Sequence, residues 1–251
     1  MDPFGATSTT STTSTTSTAP AAPAAPAAPD RADLVGFPSL SATERTKLGR
    51  LRERALTDRA ALREVLDAGL ICHLGVVIDG APVVLPTGYG RIGETLYLHG
   101  SSANRSMLAA AGAEVCVTVT LLDGLVCARS VFHNSMNYRS AVIYGTARLV
   151  SGEPERTDAL HAITEHLIPG RWDNSRRPNK KEMAATIVLA LSLDEASVKA
   201  RTGGPKDDDE DYELDYWAGV LPISTAVGPA EPDPLLSEGI AVPAHISELQ
   251  T

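Results

Sequence analysis

The chain is poor in cysteine and in positive charge, and each shortage argues against a class of protein. Its three cysteines, Cys72, Cys116 and Cys127, stand in apolar runs without C-x-x-C spacing, which argues against a disulfide framework and against a zinc site. They are typical of reduced core residues in a reducing compartment. Lys and Arg number 22 against 31 Asp and Glu, a net charge of -9. We therefore expect neither nucleic acid nor an anionic membrane as a partner, because both need a basic face.

Long hydrophobic runs are absent as well. No apolar stretch approaches the ~20 residues that a membrane-spanning helix needs, and the N-terminus lacks the charged and then apolar pattern of a secretory signal. The expectation is a cytoplasmic protein without a membrane partner.

The two ends differ in composition from the middle. Residues 5–29 consist almost entirely of Gly, Ala, Ser, Thr and Pro, a composition that cannot bury enough apolar surface to offset the entropy of ordering. We predict a low-complexity tail over residues 1–35, one globular domain over 36–227 and a Pro-rich tail over 228–251.

The middle of the chain shows many short apolar runs separated by turn signals. A helix is expected from about Thr57 to Gly69, with Asp58 in its first turn. Six strands follow with one short helix near 102–111, and the "GRIG" segment is predicted as a turn. After a further helix from Pro154 to about Ile168, the segment "ATIVLALSL" is predicted as a strand, as is "WAGVLPI". This order favours a mainly β barrel with flanking helices over a parallel sheet.

The segment "LYLHGSSANRSMLAA" carries the most chemistry. It leads a strand into a helix and places Ser101, Ser102 and Arg105 near the helix start, where free N–H groups, hydroxyls and a guanidinium can bind a phosphate. The alternative is that Ser101 or Ser102 only caps the helix and that Arg105 is solvated.

Two further segments add polar groups at strand ends. The first, "NYRSAVIYGTARLV", supplies Tyr138, Arg139 and Ser140, and the second, "LPTGYG", places small residues where a flat ring could approach the backbone. Each is a weak signal alone, since an exposed Arg at a strand start or an ordinary turn explains it equally well. If Arg105 and Arg139 converged on one phosphate, the two segments together would be persuasive evidence of a phosphate-binding site.

Taken in order, these segments resemble the pyridoxamine 5'-phosphate oxidase-like superfamily, within the flavin-binding branch that includes nitroimidazole-resistance reductases. The resemblance extends over about residues 45–150 and continues through "TEHLIPGRW", "KARTGGP" and "YWAGVLP" to about residue 223. It implies a split β-barrel homodimer with FMN at the subunit interface. The cofactor-binding residues that it implies are Pro86, Thr87, Gly88, Tyr89, Leu98, His99, Ser101, Ser102, Arg105, Tyr138, Arg139 and Ser140.

The function implied is an FMN-dependent oxidoreductase that passes electrons between a reduced nicotinamide, NAD(P)H, and a small organic acceptor. Alternatives are oxidation of a pyridoxamine 5'-phosphate-type amine, a flavin-storing protein without turnover, and a haem- or deazaflavin-binding role. The C-terminal Trp-, Arg- and Asp-rich motif of the amine oxidase is missing, which argues against that activity.

The remaining candidates favour structural roles. His161 and His166 are five residues apart and do not share a helical face, so no metal site is predicted. The run from Asp207 to Asp211 is interpreted as a solvated loop. Trp172 and Trp217 are predicted to pack against the barrel, and the alternative is that either covers a flavin face or a substrate.

Overall fold

The computed structural model describes residues 39–40, 43–47, 49 and 51–250. Its strands are β1 (Ala55–Leu56), β2 (Ile71–Ile78), β3 (Ala81–Ile92), β4 (Thr95–Ser101), β5 (Glu114–Cys127), β6 (Ser135–Thr146), β7 (Arg148–Leu149), β8 (Thr186–Ser192), β9 (Glu195–Arg201) and β10 (Gly219–Pro222). Its α-helices are α1 (Arg59–Ala68), α2 (Arg105–Ala110), α3 (Glu153–Leu167), α4 (Lys180–Ala184) and α5 (Ala244–Ser247). The predicted tail over residues 1–35 lies outside the described residues.

All strand pairs are antiparallel, and they form one sheet in the order β1-β9-β6-β5-β2-β3-β4-β8-β7, with β10 added on β5. The sheet curls so that β6 approaches β8, although four strands separate them along it. A Cβ on Gly145 of β6 would lie 3.1 Å from Leu191 of β8. The fold is the split β-barrel that the sequence predicted.

Alternation along the strands builds the core. In β2, Cys72, Leu74 and Val76 point inward while their neighbours face out, as expected for a sheet with one buried face. Burial raises the pKa of the Cys72 thiol to about 12, so this cysteine stays a protonated core residue at neutral pH, as predicted.

Helix α3 packs on the outside of the barrel, as predicted. It begins with Glu153 and Pro154, which suit the first helical turn, and it buries Ala159 and Ile163 in a second, smaller core. Gly90 permits this contact, because a Cβ there would lie 2.5 Å from the backbone nitrogen of Ile163. The missing side chain at Gly90 thus sets the distance between helix and sheet.

Several sequence-based expectations need correction. Asp58 is the N-cap of α1 rather than a residue of its first turn, since its carboxylate accepts the N–H of Ala61 at 2.6 Å. Arg91 belongs to β3 and not to a turn, and its guanidinium donates to both carboxylate oxygens of Asp67. Strand β9 was missed, although Ala196 and Val198 alternate with polar neighbours in the manner of a strand.

The C-terminal part of the domain also differs from expectation. Trp217 is 67% exposed instead of packed against the barrel. The run Asp207–Asp211 is not simply solvated, because the Asp207 side chain is fully buried. Beyond Val227, the described regular structure is limited to α5 and the short 3-10 turn Glu248–Gln250. None of the described helices is long and apolar enough to cross a membrane.

Candidate functional site

The residues Pro86–Tyr89 lie within β3, and they do not share one environment. Tyr89 is fully buried, and its hydroxyl lies 2.6 Å from the carbonyl oxygen of Leu66 and 2.8 Å from that of Gly69. Burial raises the pKa of this phenol far above its usual value. Pro86 is exposed, while Thr87 and Gly88 are half-buried. Tyr89 thus holds the end of α1, and its neighbours offer the accessible surface of this segment.

Segment 98–105 is arranged differently from the predicted phosphate cradle. Helix α2 is capped by Asn104, whose side-chain oxygen accepts the N–H groups of Ser106 at 2.9 Å and Met107 at 3.2 Å. Neither Ser101 nor Ser102 caps the helix, because both precede the cap residue. The start of α2 therefore offers fewer free N–H groups than the sequence analysis assumed.

The polar groups left for a ligand in this segment are hydroxyls and one guanidinium. The Ser101 hydroxyl oxygen accepts the N–H of Ala103 at 3.2 Å, and Ser102 is exposed. Arg105 is 72% exposed and pairs with Asp79 across the surface. An exposed pair of this kind contributes about 0–1 kcal/mol, so a phosphate could displace Asp79 from Arg105 at little cost.

Arg139, the second predicted phosphate ligand, is bound to carboxylates of its own chain. It donates through Nε and Nη2 to Asp123 at 3.1 and 2.9 Å, and Nη1 lies 3.2 Å from Glu64 of α1. These contacts, chiefly the hydrogen bonds to Asp123, raise the pKa of Arg139 further. Ser140 donates to the carbonyl oxygen of Lys199 at 3.4 Å, and Tyr138 is half-buried opposite Arg201 of β9.

One chain does not bring the two predicted phosphate-binding segments together. Strands β5, β2 and β3 lie between β6 and β4 in the sheet, and among the described contacts none joins Arg139 to Ser101, Ser102 or Arg105. Their convergence on one ligand stays a prediction that requires a second copy of the chain.

His99 and Leu98, neighbours on β4, point to opposite sides of the strand. Leu98 is buried in the main core, whereas His99 faces a cleft of about 370 Å³ lined also by Leu160, Thr164, Trp172, Arg176 and Arg177. The Nδ1 atom of His99 is buried without a hydrogen-bond partner, and burial lowers the pKa of its imidazole. A buried polar atom without a partner is unusual in proteins, so this cleft suits a ligand that contacts the ring.

The outer wall of the cleft is the loop after α3, which carries Trp172. Its position is fixed by Glu165, whose carboxylate accepts the N–H groups of Gly170 at 2.6 Å and Trp172 at 2.7 Å. These two hydrogen bonds, chiefly the one from Trp172, lower the pKa of Glu165. The guanidinium of Arg177 lies 4.6 Å from the Trp172 ring centre. The loop therefore presents an aromatic ring and cations opposite His99.

Two further grooves among the described residues, of about 660 and 670 Å³, contain none of the predicted site residues. One lies beside β1 and β9, and the other lies between the loop after α3 and the C-terminal segment.

Comparisons with known proteins agree with this fold. Residues 58–200 match the family model described as pyridoxamine 5'-phosphate oxidase. The flavocytochrome Anf3 from Azotobacter vinelandii is 41% identical, with a TM-score of 0.79 over 83% of this chain and 97% of that one. The FAD and haem binding protein from Mycobacterium smegmatis is 38% identical, with a TM-score of 0.75 over 78% of this chain and 97% of that one.

A search of curated proteins found no match. A protein assigned to 5-nitroimidazole antibiotic resistance in Bacteroides thetaiotaomicron is 21% identical, with a TM-score of 0.49 over 58% of this chain and 85% of that one. The family match covers more than half of the sequence, and two solved structures are 41% and 38% identical to it over 83% and 78% of the chain. The chain therefore belongs to the pyridoxamine 5'-phosphate oxidase family, which the order of its motifs had indicated.

Proposed function

We propose that this protein binds a flavin and uses it to pass electrons from a reduced nicotinamide to a small organic acceptor. The observation that carries the proposal is its 41% and 38% identity, over most of both chains, to a flavocytochrome and to a protein named for FAD and haem. A flavin supplies hydride and single-electron transfer when bound, and the protein has to bind it, orient it and exclude water.

Whether the flavin is FMN or FAD depends on how the protein binds the phosphate groups of the cofactor. FMN is our prediction from the sequence, with the terminal phosphate on Ser101, Ser102 and Arg105. The name of the mycobacterial relative supports FAD instead, and so does the capped start of α2, which offers fewer amide donors for a terminal phosphate. Chromatography and mass spectrometry of the flavin released from the purified protein decide between the two.

We also propose that two copies of the chain form the working unit. Leu125 of β5 stands directly opposite Met136 of β6 and Leu221 of β10, so the three side chains share one face of the sheet. All three are 41–51% exposed, and Phe132 nearby in the chain is 88% exposed. Apolar rows of this kind are typical of interfaces. Light scattering should give a dimer that Met136→Lys converts to a monomer; a monomeric wild type would refute the dimer.

A second candidate is haem binding at the His99 cleft. The unpartnered imidazole of His99 suits the haem iron. Arg176 and Arg177 on the cleft wall form exposed pairs with Glu182 and Asp173, and exchange of these pairs would let them bind the two propionates. Haem would add a one-electron centre beside the flavin. The names of both high-identity relatives support this candidate. A Soret band that His99→Ala removes, with flavin content unchanged, would establish it.

One experiment separates electron transfer from the rival functions. Under nitrogen, NADH or NADPH should bleach the flavin absorption of the purified protein, and adding an acceptor should restore it. Bleaching by pyridoxamine 5'-phosphate alone would indicate an amine oxidase. Bound flavin that neither donor reduces would indicate a storage protein and would overturn the proposal.

A further inference from the structure

Three metal-ligating side chains from two distant segments meet outside the His99 cleft. His133 comes from the 3-10 turn Val131–His133 between β5 and β6, while Asp208 and Asp211 come from the acidic run before β10. One ligand atom from each residue lies within 4.8 Å of the other two. The Nε2 of His133 is 3.2 Å from a carboxylate oxygen of Asp208.

A buried carboxylate holds these two segments together. Asp207, beside Asp208, accepts the N–H of Arg129 at 3.0 Å and that of Ser130 at 3.3 Å, and it pairs with the Arg129 guanidinium at 3.1 Å. The backbone that carries His133 and the backbone that carries Asp208 are thus fixed before any ligand binds.

The charges of this cluster are unbalanced. Arg129, the nearby cation, is bound to Asp207 and lies over the Tyr212 ring, 5.0 Å from its centre. Within the described part of the chain, the ion-pair partner of Asp208 is His133, and Asp211 has no ion pair or side-chain hydrogen bond. Two carboxylates that face one another without a Lys or Arg repel each other, and a bound cation would remove that cost.

We propose that His133, Asp208 and Asp211 bind a divalent transition-metal ion, with Zn²⁺ the best match. Zinc accepts imidazole nitrogen and carboxylate oxygen at ~2.0–2.2 Å in a tetrahedron, which separates neighbouring ligand atoms by about 3.3 Å. The 3.2 Å between His133 and Asp208 meets this spacing, and rotation of the Asp211 side chain brings in the third oxygen. An imidazole ligand argues against Mg²⁺ and Ca²⁺, which select oxygen. The fourth position is left for water.

The consequence of binding is a clamp between two parts of the fold. The metal would tie the β5–β6 connection to the segment that precedes β10, the strand that pairs along β5. None of the three ligands lines the His99 cleft or belongs to the residues predicted to bind the flavin, so the metal would be held by residues of its own.

The test uses tag-free, full-length protein. Competition with a chromophoric chelator measures its affinity for Zn²⁺, and the visible absorption of bound Co²⁺ reports the coordination geometry. Wild type should bind one equivalent and give the intense visible bands of tetrahedral Co²⁺. Asp211→Asn should weaken Zn²⁺ binding about tenfold or more, since even outer residues of metal sites cost 10–100-fold when replaced. Asp209→Asn is the matched control, because it removes the same charge from the same run outside the cluster, and it should bind as wild type does.

His133→Ala should also abolish the Co²⁺ bands, and Zn²⁺ should raise the melting temperature of wild type but not of Asp211→Asn. Asp211→Asn is the decisive variant, because this carboxylate makes no side-chain hydrogen bond in the described structure whose loss could unfold the protein. Equal weakening by Asp209→Asn and Asp211→Asn would mean diffuse attraction to the acidic run and would overturn the site. Absence of Zn²⁺ binding by wild type at about 10⁻⁴ M metal, a concentration that detects even a weak site, would also overturn the proposal.

Discussion

The hydroxyl of Tyr89 lies 2.8 Å from the carbonyl oxygen of Gly69, at the residue that ends α1. The same hydroxyl is 2.6 Å from the carbonyl oxygen of Leu66, so its one proton is shared by two carbonyls of a helix end. His166 of α3 reaches the Gly69 oxygen as well, at 2.7 Å. A residue that the family resemblance places beside a flavin thus ties the end of α1 to the barrel, and its ring lies 4.7 Å from that of His166 in α3.

Tyr89→Phe tests which of these roles Tyr89 has. The change leaves the Leu66 carbonyl without this donor in a buried place, and it should lower the free energy of unfolding by about 1–3 kcal/mol. Flavin affinity of the folded protein should be unchanged. Urea unfolding and fluorescence titration measure the two quantities, with Tyr216→Phe, 66% exposed, as the control. Unchanged stability combined with weaker flavin binding would mean that the phenol contacts the flavin.

Gly90→Ala should be strongly destabilising, because its Cβ would lie 2.5 Å from the Ile163 backbone nitrogen, which cannot move without shifting α3. We expect a loss of about 1–3 kcal/mol or more from overpacking. Gly75→Ala is the matched control in a neighbouring strand, where the nearest atom to a Cβ is 3.4 Å away. Thermal melting of both variants checks this, and equal melting temperatures would refute the close contact.

Arg105→Ala should weaken flavin binding by roughly tenfold to a hundredfold, the equivalent of about 1.5–3 kcal/mol for hydrogen bonds to a charged group. Folding should be unaffected, because the pair with Asp79 is exposed. Arg91 is unsuitable as a control, since it holds Asp67 through both carboxylate oxygens. Arg148→Ala removes the same charge from another exposed surface pair, with Glu155. Equal flavin affinities of these two variants would show that Arg105 does not reach the phosphate.

His99 should make the stability of the cofactor-free protein depend on pH. Burial lowers the pKa of His99 in the folded state, whereas the unfolded chain has the ordinary value of about 6.5. Below that value the unfolded state binds more protons, so stability is full above about pH 6.5 and falls as the pH drops towards the folded pKa. His99→Gln should reduce the loss measured by urea unfolding between pH 7.5 and 5.5, and the exposed His161→Gln should not. If His99→Gln lost as much stability as wild type between pH 7.5 and 5.5, His99 would be excluded as the source of the pH dependence.

The order of the elements could be read from the sequence because each signal is local. Alternation in β2, the turn at Asp79 and Gly80 and the Pro near the start of α3 act within a few residues. Strand β9 escaped notice because its inward residues include small alanines among charged neighbours. Arg91 was placed in a turn because the Gly residues beside it dominate the local pattern, whereas its partner, Asp67, is distant in the chain.

What the sequence determined by itself is most of the elements, the barrel class and the family, since these depend on periodicity and on an ordered series of motifs. Only the tertiary structure decided which polar groups are free to act. Long-range pairing ties Arg139 to Asp123 and Glu64, and buries Tyr89 under α1, while His99 is left without a hydrogen-bond partner among the described residues. A guanidinium or hydroxyl looks equally available anywhere in a sequence, but in the fold it pairs with whatever distant group the sheet brings beside it.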